Sequence, residues 1–326
     1  SAYFLTWGDT PSTARFNTIS NDLNSAPLTP EPFCFYTIAD IKNENFSKKK
    51  FSQSVYHSEF GMSEGFVGTG AVNQTVTLAP EFLFATGPNS QLSTRTAVLN
   101  HSDQNSSHDQ TVSLNGNVLT QETFSNAKVL QNDFDVVTST LGASVEVSFA
   151  GLFNGNDRQQ VAFVKLKYPR TFDFGSKNSI EFSMAASSSI QYLNISNFDI
   201  GNTNPVLYDL TNQIRIEITV TGDKVEIALP PSGTERKLIL VNNGSSISSV
   251  NDLNQISFID YTQQDDDFII ISNQRLFNDT QSGGTNWVEE YANYRSSPEG
   301  RSYSTTVVDV NQLYDQFGYG INRHSI

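Results

Sequence analysis

Residues 265–326 limit the fold more than any other stretch. Phe268-Ile269-Ile270-Ile271 is an apolar run without alternation, the pattern of a strand covered on both faces in a parallel sheet. In Thr285 to Ala292, Trp287, Val288, Tyr291 and Ala292 fall on one face at helical spacing. Gly300 marks a stop, and Tyr303 to Val310 gives a second apolar strand around Val307 and Val308. Asp309 is placed to cap a helix carrying Leu313, Tyr314 and Phe317. The order is strand, helix, strand, with another helix beginning: a βαβ unit. A doubly wound domain needs further units of this kind. The expectation is therefore a chain that precedes a catalytic domain and includes that domain's first βαβ unit. In that case missing strands and helices would cover Ile269, Ile270, Val307 and Val308.

Everything before residue 263 reads as β. Ala2 to Trp7 and Ala14 to Ile19 are strands around a Gly8-Asp9-Thr10-Pro11 turn, and Phe33 to Ile38 is another. Thr75 to Leu78, Phe82 to Phe84 and Leu92 to Leu99 follow, then a polar surface loop from Asn100 to Asp109. Asn115-Gly116 between apolar strands signals a two-residue hairpin. Val145, Val147 and Phe149 alternate with polar neighbours, and Val161 to Tyr168 closes that set. Ile180 to Met184 and Ile190 to Ile195 continue in the same style. Ile214 to Val220 reverses at Gly222-Asp223 into Val225 to Leu229, the pattern of an antiparallel hairpin with one wet face. Leu238 to Val241 and Ile256 to Ile259 finish the β region. The expected fold is mainly β, with two consecutive antiparallel sandwich or jelly-roll domains before the start of an α/β domain. The expected divisions are 1–50, a hairpin segment; 51–169 and 170–262, the two sandwiches; and 263–326, the incomplete α/β domain.

The 326 residues carry a net charge of −14. That disfavours nucleic acid, whose binding rests on Lys and Arg meeting phosphates, and it disfavours anionic lipid. Lys48-Lys49-Lys50 is too short a run to reverse this, and no stretch is apolar enough to span a membrane. No leader is visible before Ser1, so either one has been removed or the sequence is part of a longer one. Seven Asn-x-Ser/Thr triplets point weakly to an extracellular setting. The single cysteine, Cys34, lies in Phe33-Cys34-Phe35-Tyr36 and reads as a buried, inert thiol. His57, His101 and His108 fall in polar stretches, and His324 lies near the end. None has zinc-ligand spacing. His101 and His108 with Asp103 and Asp109 are metal-ligand types, but nothing in the spacing fixes their geometry. Asp265-Asp266-Asp267 offers the oxygens calcium uses, without the alternate-residue spacing of a calcium loop. No Gly-x-Ser-x-Gly elbow and no Gly-x-Gly-x-x-Gly phosphate loop occurs. These residues give no catalytic, cofactor or metal site.

Four pieces resemble the region upstream of the peptidase domain in the gingipain-like (C25) cysteine peptidases, above all the sortases of the Bacteroidota type IX secretion system. They are Tyr3 to Pro11, Val161 to Arg170, Pro205 to Thr211, and the set Asp267 to Ser272, Trp287 to Arg295 and Thr306 to Gly320. Within the last, Val307-Val308-Asp309-Val310-Asn311-Gln312-Leu313-Tyr314-Asp315-Gln316-Phe317 is similar to the second strand and following helix of the peptidase domain. The resemblance implies a cell-surface protein at the outer membrane that processes C-terminal signals of secreted cargo. Its implied partners are that cargo and an outer-membrane β-barrel shuttle protein. The family's His–Cys dyad lies downstream of the point matching Ile326, so neither Cys34 nor any histidine is carried over as catalytic. This segment would then serve scaffolding or docking. The alternative is a surface adhesin or carbohydrate-binding sandwich protein, which has no need of a βαβ tail.

Overall fold

A computed structural model describes residues 16–46 (without 28), 66–99, 107–151 (without 126 and 127) and 158–242 (without 203, 219, 221 and 223), with 244, 257–277 and 283–318. Tyr3 to Pro11, Lys48 to Lys50, His57, His101, Asp103 and His324 lie outside the described residues. The chain divides into two compact units, residues 12–249 and residues 1–11 with 250–326.

The larger unit is all β. Its first strands are β1 (Asn17–Ile19), β2 (Cys34–Ile41), β3 (Asn45–Phe46), β4 (Phe66–Val67), β5 (Asn73–Leu78), β6 (Ser90–Leu99), β7 (Ser107–Leu114), β8 (Asn117–Ser125) and β9 (Lys128–Val136). They continue with β10 (Val145–Ala150), β11 (Arg158–Arg170), β12 (Asp173–Lys177), β13 (Ser179–Met184), β14 (Gln191–Phe198), β15 (Val206–Asp209), β16 (Ile214–Glu217), β17 (Val225–Leu229) and β18 (Arg236–Val241). One nine-stranded sheet runs β1-β16-β15-β18-β13-β2-β11-β6-β9. A four-stranded sheet, β5-β10-β7-β8, and a three-stranded sheet, β12-β14-β17, accompany it.

Alternation along the strands fills two cores. Val76, Leu78, Val112, Leu114, Val145, Val147 and Phe149 of the four-stranded sheet meet Leu92, Val161, Val164 and Leu166 of the long one. Phe174, Leu193, Ile195, Val225, Ile227 and Leu229 meet Ile180, Phe182, Leu207, Ile216, Leu238 and Leu240 in the second core. The long sheet runs through both cores: β2, β11 and β13 lie side by side. The β13–β2 junction rests on a single register pair, Ser183 with Phe35. Tyr36 packs against both cores there.

The Asn115-Gly116 hairpin forms as expected: φ is 48° and 80° at the two residues, and Leu114 pairs with Asn117. Three expectations fail. Ile214 to Val220 and Val225 to Leu229 do not pair. β16 bonds to β15 and to β1, whereas β17 bonds to β14 in the other sheet. Both strands point their alternate aliphatics into one core from opposite sides, and alternation alone cannot tell that from a hairpin. Phe82 to Phe84 is no strand: Phe82 sits in a turn at φ 53°, and Leu83 makes a single isolated bridge with Arg170. Residues 257–260 form no strand, and Phe258 and Ile259 are exposed.

In the smaller unit β19 (Phe268–Ser272), α1 (Trp287–Ser296), β20 (Thr305–Asp309) and α2 (Val310–Gly318) follow the expected order. The two strands are parallel, Ile270 opposite Val307 and Ile271 opposite Val308. Asn286 caps α1, its Oδ1 accepting from Glu289 N–H at 3.1 Å. Asp309 takes the cap expected of it, accepting from Asn311 N–H at 3.0 Å. The βαβ pattern is therefore as expected, and so, in part, is the exposure of its aliphatics. Ile269 and Ile271 are 64% and 57% exposed, while Val308 is buried. On α1, Ala292 is buried, but Trp287 and Tyr291 stand about half exposed. Phe268 takes the contact with the helix instead, through the Tyr291 ring and the Arg295 guanidinium.

Candidate functional site

Cys34 opens β2 opposite Arg170, at the join between the two cores. It is 1% exposed. Burial pushes its pKa up to about 12, against a smaller opposing pull from the Arg170 charge. Its burial is what its apolar neighbours predicted, and a thiol held un-ionised at neutral pH is a poor nucleophile. Arg170 is itself fully buried. Its Nε and Nη2 donate to the Asp173 carbonyl at 3.2 and 2.8 Å, and its guanidinium lies between the Tyr36 and Phe82 rings, 4.9 and 4.6 Å from their centroids. Tyr168 donates to the Glu81 carbonyl at 2.9 Å, and burial raises its pKa to about 12. This cluster ties the turn at Glu81–Phe84 to the joint. It presents no reactive group.

His108 and Asp109 are not in a surface loop. The strand β7 begins at Ser107, and both residues are buried on it. As neighbours on a strand they point to opposite faces, so they cannot close on one ion. His108 packs against Phe124. Beside it a polar bridge that no local signal marked runs through the core: Gln110 Nε2 donates to Gln159 Oε1 at 2.7 Å and to Thr96 at 2.8 Å. A Gln or Thr at an inward strand position looks like a surface residue until its partners are known.

The acidic triplet serves the βαβ unit. Asp267 N–H donates to Ser304 Oγ at 3.0 Å, Ser304 N–H and Oγ–H donate back to its carboxylate, and Thr306 donates to the Asp266 carboxylate. These bonds lace the amino ends of β19 and β20 together. Open α/β sheets hold ligands beyond the carboxyl ends of their strands. At that end stand Ser272, Asn273 and Asp309, and Asn273 and Asp309 are both spent on helix caps. Among the described residues no three His, Cys, Asp or Glu side chains gather as metal ligands.

A buried charge pair, too, was not legible in the sequence. Arg236 Nη1 lies 3.5 Å from Asp209 Oδ2, both side chains essentially inaccessible. Arg236 also donates to the Pro230 carbonyl. Asp209 Oδ1 accepts from Thr211 and Asn212 N–H at 3.0 and 2.9 Å. Burial draws the Arg236 pKa below its usual range and Asp209 opposes that shift. The pair fixes the turn after β15.

Among the described residues the geometry brings together no catalytic constellation. Residues 261–325 match the model of peptidase family C25. In fold, 91% of the chain superposes on 28% of dimeric latent PorU from Porphyromonas gingivalis, with a TM-score of 0.53 and 14% identity. The chain therefore shares its fold with part of PorU and spans little more than a quarter of that protein's length. The CBM36-1 domain of a xylanase from the hindgut metagenome of Trinervitermes trinervoides matches 40% of the chain, covering 95% of that domain, at 11% identity and a TM-score of 0.25, too low to carry an argument. No curated protein matches the chain in sequence.

Proposed function

We propose that this chain is the non-catalytic N-terminal region of a cell-surface cysteine peptidase or sortase of the PorU type. Such a protein processes the C-terminal signals of cargo exported by the type IX secretion system. This region would contribute scaffolding or docking, with an outer-membrane β-barrel shuttle protein of the PorV kind and the cargo C-terminal domains as partners. The observation that carries the reading is the C25 match on a parallel βαβ unit that follows an all-β region with the fold of PorU. The buried, un-ionised Cys34 supports a non-catalytic role for this part of the protein. No helix among the described residues is long and apolar enough to cross a membrane, which fits attachment through a partner.

The test is the natural protein taken from its own cells. The expected result is an intact mass several times the 36.1 kDa of this chain, with a reactive cysteine outside residues 1–326. Cells lacking the gene should accumulate cargo with its C-terminal signal uncleaved. A mature species near 36.1 kDa, or normal cargo processing in the deletion, overturns the reading.

A further inference from the structure

The strands at the ends of the larger unit's sheets are not alike. β1 closes one end of the long sheet and is three residues long. The edge of β17 is covered: Asn21 Nδ2 donates to the Glu226 carbonyl at 2.8 Å and Asn21 Oδ1 accepts from Ala228 N–H at 2.9 Å. The ladder that holds β8 to β7 is broken by a bulge at Val112/Ser113. β9 has none of these protections. Its nine residues pair with β6 in unbroken register from Ser90–Val136 to Val98–Lys128, and among the described residues its other edge has no strand. It contains no proline. Such an edge offers a row of backbone donors and acceptors to an incoming strand.

Side chains on its outer face state what kind of strand fits. Asp133 and Asp135 are both exposed on that face and line a shallow groove with Gln91, Ser93 and Phe134. Ser93 Oγ donates to one oxygen of Asp133 at 2.5 Å and holds the carboxylate in place. The Asp135 carboxylate makes no side-chain hydrogen bond or ion pair among the described residues. Two residues along a strand is roughly 6.7 Å, and an added strand repeats at the same interval. A Lys-x-Lys or Arg-x-Arg segment therefore sets its two charges beside the two aspartates while its backbone completes the edge.

We propose that β9 receives an extended basic segment of a partner protein by strand addition, with alternate Lys or Arg side chains against Asp133 and Asp135. The proposal does not depend on the family reading.

The probe is a labelled peptide of alternating Lys and Val, matched in length to β9 and titrated into the whole chain. Fluorescence anisotropy follows binding at low and high salt, and amide hydrogen exchange follows residues 128–136. Saturable binding with slowed exchange across β9 is expected. The double change Asp133→Asn, Asp135→Asn should weaken binding by about tenfold or more, the loss of roughly one favourable charge contact. Asp135→Lys alone, which breaks no existing bond, should weaken it while leaving the circular dichroism spectrum unchanged. The same peptide with N-methyl groups on alternate backbone nitrogens keeps its charge and should lose its binding. Equal binding by the methylated peptide would show attraction by charge alone and overturn the proposal. So would undiminished binding to Asp135→Lys, absent protection of β9, or dimers of the free chain that bury β9.

Discussion

Asn21 stands in for a strand residue against Ala228. Its side-chain amide accepts from the Ala228 N–H at 2.9 Å and donates to the carbonyl two residues back, at Glu226. A primary amide carries the same donor and acceptor as a peptide group, so a loop residue can close a sheet edge without becoming a strand. Asn21→Ala should cost about 1–2 kcal/mol, and Asn21→Asp should cost less because the acceptor survives. Denaturant unfolding of the two variants measures the difference, with Asn21→Asp expected between the wild type and Asn21→Ala.

Asp209 and Arg236 make the sharper test of stability. Removing the carboxylate leaves a fully buried guanidinium without its counter-charge, a loss of about 3–5 kcal/mol for Asp209→Ala. Arg236→Met with Asp209→Asn removes both charges and should recover much of that. A double-mutant cycle by chemical denaturation reads the coupling. If the single and double variants are equally destabilised, the loss is one of packing rather than charge.

Gly300 is required by contact. A Cβ there would lie 1.7 Å from the Tyr294 carbonyl oxygen. Gly300→Ala must therefore displace the end of α1, at a cost of about 1–3 kcal/mol or more. Hydrogen exchange should rise across residues 287–309 and stay unchanged across β10 and β11. Unchanged exchange in α1 would refute the contact.

Alkaline pH should loosen the larger unit. Cys34 ionises near 9.0 when unfolded and near 12 when folded. Its contribution is intact below pH 9 and declines as pH rises toward 12, because only the unfolded chain releases the proton. Each pH unit in that window removes about 1.4 kcal/mol, and Tyr168 adds to the loss from its own ordinary value upward. Cys34→Val should flatten the pH dependence of the melting temperature above pH 9. At pH 8 a thiol reagent should label native Cys34 only at the rate of unfolding.

Long-period order was legible and pairing was not. The apolar run at Phe268, the second at Val307 and the cap at Asp309 fixed strand, helix and strand in sequence, because each signal is local. Asn115-Gly116 worked for the same reason: both residues must take positive φ, and few others do so cheaply. The error at Ile214–Leu229 is of another kind. Which strand bonds to which is settled by residues far apart in the chain, and β16 and β17 carry the same alternation whether they face each other across a core or along a ladder. His108 failed because a loop and a strand lined with polar core residues share one composition. Arg170 and Arg236 gave no signal: an arginine is read as surface until the aromatic rings or carboxylate that hold it are in view.

The single pair joining β13 to β2 has a mechanical consequence. A ladder resists shear in proportion to its rungs, and the long sheet has one rung at Ser183–Phe35 where its neighbours have many. Load drawn across the sheet would reach this seam as a fault line. Tyr36, packed against both cores, would carry it there, and the two halves could flex about that line without either one tearing.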